Sequence, residues 1–106
     1  MTDGEIWRLC HRDEVVAAIE VRSRDFPWTY GRLRPLAGFE QFRPLFVARS
    51  AALDADDDEA MVRIDDEISA AFTLVRPDGG RVAEFLFSVE GDEAGFRWLD
   101  EPVTDE

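Results

Sequence analysis

Val15-Val-Ala-Ala-Ile-Glu-Val-Arg-Ser-Arg24 decides the fold class. Val15, Ala17, Ile19 and Val21 share one side of an extended chain, and Glu20, Arg22 and Arg24 the other. A period of two with β-branched residues on the apolar side is the pattern of a half-buried strand. Upstream, residues 5–10 (Glu-Ile-Trp-Arg-Leu-Cys) form a second strand candidate, joined to the first through His11-Arg12-Asp13-Glu14. That turn lacks the Gly or Asn usual in tight hairpins.

Downstream, Pro27 ends the strand within Asp25-Phe26-Pro27-Trp28, and residues 26–38 read as a loop containing Pro35. Residues 39–53 read as a helix, because Phe39, Phe42, Phe46 and Leu53 recur every three to four positions with Leu45 beside them. Pro44 either opens the main helix after a preliminary turn or kinks a longer one. The acid run 54–59 precedes a second, shorter helix with Met61, Ile64 and Ile68 on one face. Residues 69–76 read as a strand, Pro77-Asp-Gly-Gly80 as a turn, and 81–90 as a strand with Ala83, Phe85, Phe87 and Val89 on one face. A turn at Glu90-Gly-Asp-Glu93 leads to a last strand, 94–99, and an acidic tail, 100–106.

The order β-β-α-(α)-β-β-β predicts one α+β domain over residues 1–106. Its single antiparallel sheet has about five strands, with the helices packed on one face. Glu20, Arg22, Arg24, Glu84, Ser88 and Glu90 fall on the solvated face. The 106 residues suffice for one core without disulfides, and Cys10 is the only cysteine, which favours a reducing compartment. Met1-Thr-Asp-Gly-Glu5 has neither a basic nor an apolar leader segment, and no apolar run reaches the ~20 residues of a membrane span. A cytoplasmic protein is the expectation.

Trp7 and Leu9, Asp25-Phe26-Pro27-Trp28, the Phe-rich helix with Pro44-Leu45-Phe46, and Phe96-Arg97-Trp98 together resemble small uncharacterised acidic proteins of GC-rich bacteria. The resemblance implies a fold and carries over no activity and no functional residue.

Charge is divided unevenly. Residues 1–53 carry +1 and residues 54–106 carry −13, for a net charge of −12. Such a field repels nucleic acid and membrane surfaces and attracts cationic partners. All twelve cations are Arg, which excludes lysine Schiff-base chemistry and a Walker-type phosphate lysine. His11 is the one histidine, and as a strand neighbour of Cys10 it points to the opposite face, against a Cys-His dyad. The serines lack a nucleophile-elbow context. No catalytic residue, metal site or cofactor is expected.

Asp54, Asp56 and Asp58, with Asp65 at the twelfth position, imitate a calcium loop, but Glu59 stands where the turn requires Gly. Capping of the following helix by Asp54 or Asp56 explains the run better. Residues 22–49 are Arg-rich beside Trp28 and Tyr30. Internal pairing with the chain's own acids accounts for them, ahead of docking on a partner or on a second copy as a homodimer.

The expectation is therefore a non-catalytic protein–protein interaction module with a basic protein partner, in concrete form an immunity- or inhibitor-type protein. Asp56, Asp57, Asp58, Asp65, Asp66 and Glu67 steer association, and Trp28 or Tyr30 anchors it. The alternative is a small-ligand-binding module with an aromatic pocket between sheet and helix. Phe85, Phe87 and Phe96 line that pocket and the 26–38 loop gates it. A third possibility is that acidity only maintains solubility at high salt.

Overall fold

The computed structural model describes residues 5–25, 27–82 and 84–99, with the side chain of residue 99 excepted. Phe26, Ala83 and the tail 100–106, which the sequence reading used, lie outside the described residues. The chain runs β1 (Ile6–His11), β2 (Glu14–Asp25), β3 (Trp28–Pro35), a 3-10 turn (Glu40–Phe42), α1 (Arg43–Asp54), α2 (Asp58–Ala71), β4 (Thr73–Val75), β5 (Glu84–Glu90) and β6 (Glu93–Leu99). The fold class is α+β, with one antiparallel sheet of six strands in the order β4-β1-β2-β3-β6-β5.

The extra strand is β3, which the sequence reading assigned to the 26–38 loop. Two prolines and a glycine disguise it. Pro27 precedes the strand and Pro35 ends it, so neither breaks the ladder within. Thr29, Gly31 and Leu33 are buried while Arg32 and Arg34 are exposed, the alternation of a half-buried strand. Gly31 hides the pattern because it carries no side chain. It is required because a Cβ there would stand 2.4 Å from the Glu20 carbonyl oxygen.

Two bulges set the faces of β2. Leu9 pairs with Ala17 but Cys10 pairs with Val15, leaving Val16 unopposed; Val21 pairs with Gly31 but Ser23 with Tyr30, leaving Arg22 unopposed. Val16 is consequently buried beside Ala17, and Val15 turns to the Cys10 face rather than joining Ala17 and Ile19. In the β1–β2 hairpin, Arg12 adopts φ 58°, the left-handed conformation that Gly or Asn normally supplies.

The first of the two readings of Pro44 holds, while the helix lengths and the buried face of α1 differ from expectation. Pro44 sits in the first turn of α1, after the 3-10 turn, where its missing N–H costs nothing. Helix α2 has 14 residues against 12 in α1, so it is the longer one, and it runs to Ala71. Ile64, Ile68 and Phe72 continue its four-residue period, and the strand expected over 69–76 contracts to Thr73–Val75. Leu53 is exposed, and the buried positions of α1 are Phe46, Arg49 and Ala52.

The sheet is strongly curled. Trp7 on β1 lies 4.9 Å from Phe96 and 5.1 Å from Trp98 on β6, centroid to centroid. Two strands separate β1 from β6 in the sheet, a lateral distance of about 14 Å if it were flat. The inner rings therefore converge across a concave face. Helix α1 closes this face through Phe46, whose ring meets Phe39, Phe72 and Phe87 at 5.7–5.8 Å. His11 ends β1 between Phe42 and Phe72, and its Nδ1 donates to the Ala71 carbonyl at the C-terminus of α2, 2.8 Å away.

Gly31→Ala, whose methyl meets immovable backbone, is expected to cost about 2–3 kcal/mol in urea unfolding. Gly95→Ala, whose Cβ meets side chains alone, the Tyr30 ring at 2.9 Å and the Ser88 hydroxyl at 3.3 Å, is expected to cost about 1 kcal/mol or less because both half-buried groups can shift. Equal costs would show that the Glu20 carbonyl does not constrain β3.

Candidate interaction surface

The acid run is the connection between two helices. Helix α1 ends in a Schellman arrangement: the Asp57 N–H donates to the Ala52 carbonyl at 2.9 Å, and the Asp56 N–H to Leu53 at 3.1 Å. Asp56 occupies the left-handed position at φ 56°, which Gly usually fills. Asp57 then caps α2, its Oδ1 accepting from the Ala60 N–H at 3.1 Å. The sequence reading placed this cap at Asp54 or Asp56. Asp58 and Glu59 occupy the first turn, against the positive end of the helix dipole.

The calcium-loop pattern dissolves in this arrangement, since Asp58 and Asp65 both belong to α2, seven residues and about 10 Å of helix apart. Among the described residues no group of three His, Cys, Asp or Glu side chains is placed to hold a metal ion.

Asp65 has an internal partner. Arg49, whose side chain is only 5% exposed, donates through Nε to Asp65 Oδ1 at 2.6 Å and through Nη2 to Oδ2 at 3.5 Å. This fork ties α1 to α2. Arg49 fills the slot that the apolar period of α1 assigns to a core residue. Its place after Phe46 and before Ala52 is the signal that could have revealed it.

The remaining acids of the connection have no such partner. Asp54, Asp56, Asp57, Asp58, Glu59, Asp66 and Glu67 are exposed and make no ion pair among the described residues. Asp58, Val62 and Asp66 form one i, i+4, i+8 stripe of α2, and Glu59, Arg63 and Glu67 the next. Val62 (62%), Val47 (60%) and Leu53 (52%) are exposed aliphatics on the same helical layer.

The arginines of residues 22–49 are mostly occupied elsewhere. Arg22 and Arg34 pair with Glu20, Arg24 with Glu5, and Arg43 with Glu40, in addition to the buried Arg49–Asp65 pair. The Arg34 and Arg22 guanidiniums hold the Glu20 carboxyl below the usual carboxylate range. Internal pairing thus accounts for five of the six, and Arg32 has Glu93 as its cross-strand neighbour.

Trp28 and Tyr30 stack on each other at 6.4 Å on the convex side of β3. Tyr30 shares its face with Ser88 and Gly95, whereas Thr29 shares the concave face with Phe87 and Phe96. The helices cover the concave face. The structure therefore brings Asp56, Asp57, Asp58, Asp66 and Glu67 together on one layer and places the two aromatics on the opposite side of the sheet.

The aromatic trio of the ligand reading is also separated. Phe87 and Phe96 are fully buried in the core, and the 26–38 segment is largely β3. Phe85 alone lines an open groove of about 740 Å³ between the C-terminal half of α2 and the start of β5. Its floor is Phe72, Val82, Phe85 and Trp98, and Asp65, Asp66, Ser69, Glu84 and Arg97 stand around it. Cys10 lies on the convex face, away from His11, and burial pushes its thiol up despite the opposing effect of Arg8 and Arg81. No helix among the described residues is long and apolar enough to cross a membrane.

Comparison of the chain with known protein families, with curated proteins and with solved structures returns no match.

Two expected outcomes follow from this geometry. Asp65→Ala strands a buried guanidinium and should lower stability by about 3 kcal/mol, while Arg49→Met with Asp65→Leu restores most of it; urea titrations of the single and double variants decide. Asp56→Gly relieves the left-handed strain and should raise stability by about 0.5–1 kcal/mol. Asp56→Asn isolates the contribution of charge, and a gain in Asn equal to that in Gly would show that repulsion, not backbone strain, is the cost at this position.

Proposed function

We propose that this protein is a non-catalytic interaction module that binds a basic protein through the α1–α2 surface. The observation that carries the reading is the set of exposed acids at positions 54, 56–59, 66 and 67, unpaired while most arginines of residues 22–49 pair elsewhere. Unpaired like charges held on adjacent helix ends repel each other, and a cationic partner relieves that repulsion on binding. The same charges raise the rate of encounter. Val47, Leu53 and Val62 supply apolar contacts amid the acids, the role that the sequence reading gave to Trp28 or Tyr30.

In its concrete form the module is an inhibitor or immunity-type protein that covers the anion-binding surface of a cationic enzyme. Small size and net charge −12 suit that role.

The test is capture from lysate of the source organism at low salt. Wild type and an Asp56→Asn/Asp57→Asn/Asp58→Asn/Asp66→Asn/Glu67→Gln variant serve as baits. The expected result is a stoichiometric basic protein retained by wild type, eluted at high salt and lost from the variant. With that partner purified, the association rate should fall at least about tenfold between 0.05 and 0.5 M salt, with a shallower slope for the variant. Equal capture by both baits would contradict the reading. Asp57→Asn keeps a capping oxygen, so the variant is expected to retain its helix.

A further inference from the structure

Strand β5 is an edge of the sheet, and its register shows which backbone groups face outward. The β5–β6 turn has two central residues, Gly91 at φ 62° and Asp92, and it closes on the pair Glu90–Glu93. In an antiparallel hairpin of this kind the closing pair exchanges hydrogen bonds, and bonded and non-bonded pairs then alternate. Ser88–Gly95 and Leu86–Arg97 are thus bonded pairs, and Phe85, Phe87 and Val89 point their N–H and C=O groups away from β6. The hydrogen bond from Ser50 Oγ to the Val89 carbonyl, 3.3 Å, confirms that direction and ties that end of the edge to α1. At Phe85 and Phe87 no hydrogen bond among the described residues takes up the outward groups.

The open part of this edge borders the groove of about 740 Å³. Three consecutive residues of β5, Glu84, Phe85 and Leu86, line it, so the strand's backbone and not merely one of its faces forms the wall. Helix α2 forms the opposite wall through Asp65, Asp66 and Ser69. A strand edge facing a helix across an apolar floor is the geometry in which an extended peptide adds to a sheet, with main-chain hydrogen bonds giving affinity and alternate side chains giving specificity.

We infer that the groove between α2 and β5 binds an extended basic segment of a partner protein as a seventh strand. Apolar side chains of that segment rest over Val82 and Phe85, and its cationic side chains meet Asp66 on the helix wall and Glu84 on the strand wall. Asp65 is already held by Arg49, and Arg97 is the one cation on the lining, so two uncommitted carboxylates face it. A second copy of this chain is a poorer occupant, because its β5 brings Glu84 and Glu90 and a net charge of −12 against the same acids. The inference rests on the basic-partner reading and specifies how that partner is gripped.

The probe is the hexapeptide Lys-Val-Lys-Val-Lys-Val, acetylated and amidated, titrated at low salt into the full-length protein and followed by amide NMR. The expected result is saturable binding with slowed hydrogen exchange at the Phe85 and Phe87 amides. Asp66→Arg/Glu84→Arg, two exposed positions, should weaken binding at least tenfold, and a hexapeptide N-methylated at alternate residues should bind at least tenfold more weakly than the parent. Three outcomes would overturn the inference: equal binding of the methylated peptide, no protection at Phe85 and Phe87, or peptide-dependent dimerisation through β5. Binding that survives Asp66→Arg/Glu84→Arg but is lost on neutralising Asp56, Asp57 and Asp58 would also overturn the groove, while leaving the wider acidic-surface reading intact.

Discussion

Contact between Trp7 and the β6 rings Phe96 and Trp98 is the constraint on which the rest of the structure depends. It can form only if a six-stranded sheet curls enough to bring side chains from its second and fifth strands onto one concave surface. The curl draws on local devices: bulges at Val16 and Arg22, and Gly31 beneath the Glu20 carbonyl. Bulges increase twist, and a glycine permits close backbone approach. Once curled, the sheet offers its helices a cup. Phe46 seats α1 in that cup, and the Arg49–Asp65 fork fixes α2 to α1. The acid-bearing helix ends are thereby turned to solvent, and the outward groups of β5 are left at the lip.

Much of this was legible in the chain. The alternation in β2, the Phe spacing of α1, the acid cap before α2 and the turns at Pro77–Gly80 and Glu90–Glu93 are local patterns with local causes. What escaped was non-local. Strand β3 looked like a loop because its central residue answers to a carbonyl eleven residues earlier, not to its own neighbours. The last three residues of α2 looked like a strand because no turn signal separates them from Phe72-Thr-Leu-Val75, although Ala70 and Ala71 favour helix, and Phe72 packs on Phe42 and Phe46 where the helix ends. Internal pairing was expected for the arginines of residues 22–49, but the burial of Arg49 was not legible, because only the tertiary position of Asp65 makes it tolerable.

The candidate surface divides in the same way. That residues 54–67 are acidic, and that the run caps a helix, is visible in the sequence. Which side of the molecule those acids share with Trp28 and Tyr30 is not, because it depends on the face of the sheet that the helices cover. The structure puts the aromatics on the convex side, among arginines that are largely paired, and the unpaired acids on the helical side. Charge that is balanced contributes little to recognition, whereas charge held in excess does. The helical layer is therefore where a cationic partner finds the stronger field.

Hydrogen exchange of the protein, alone and with the basic partner proposed for it, measures this central claim most directly. The account predicts slowed exchange in residues 54–67 and along β5, with the amides of β3 unchanged. Protection confined to residues 28–34 on the convex face, with the α1–α2 connection exchanging as before, would contradict it.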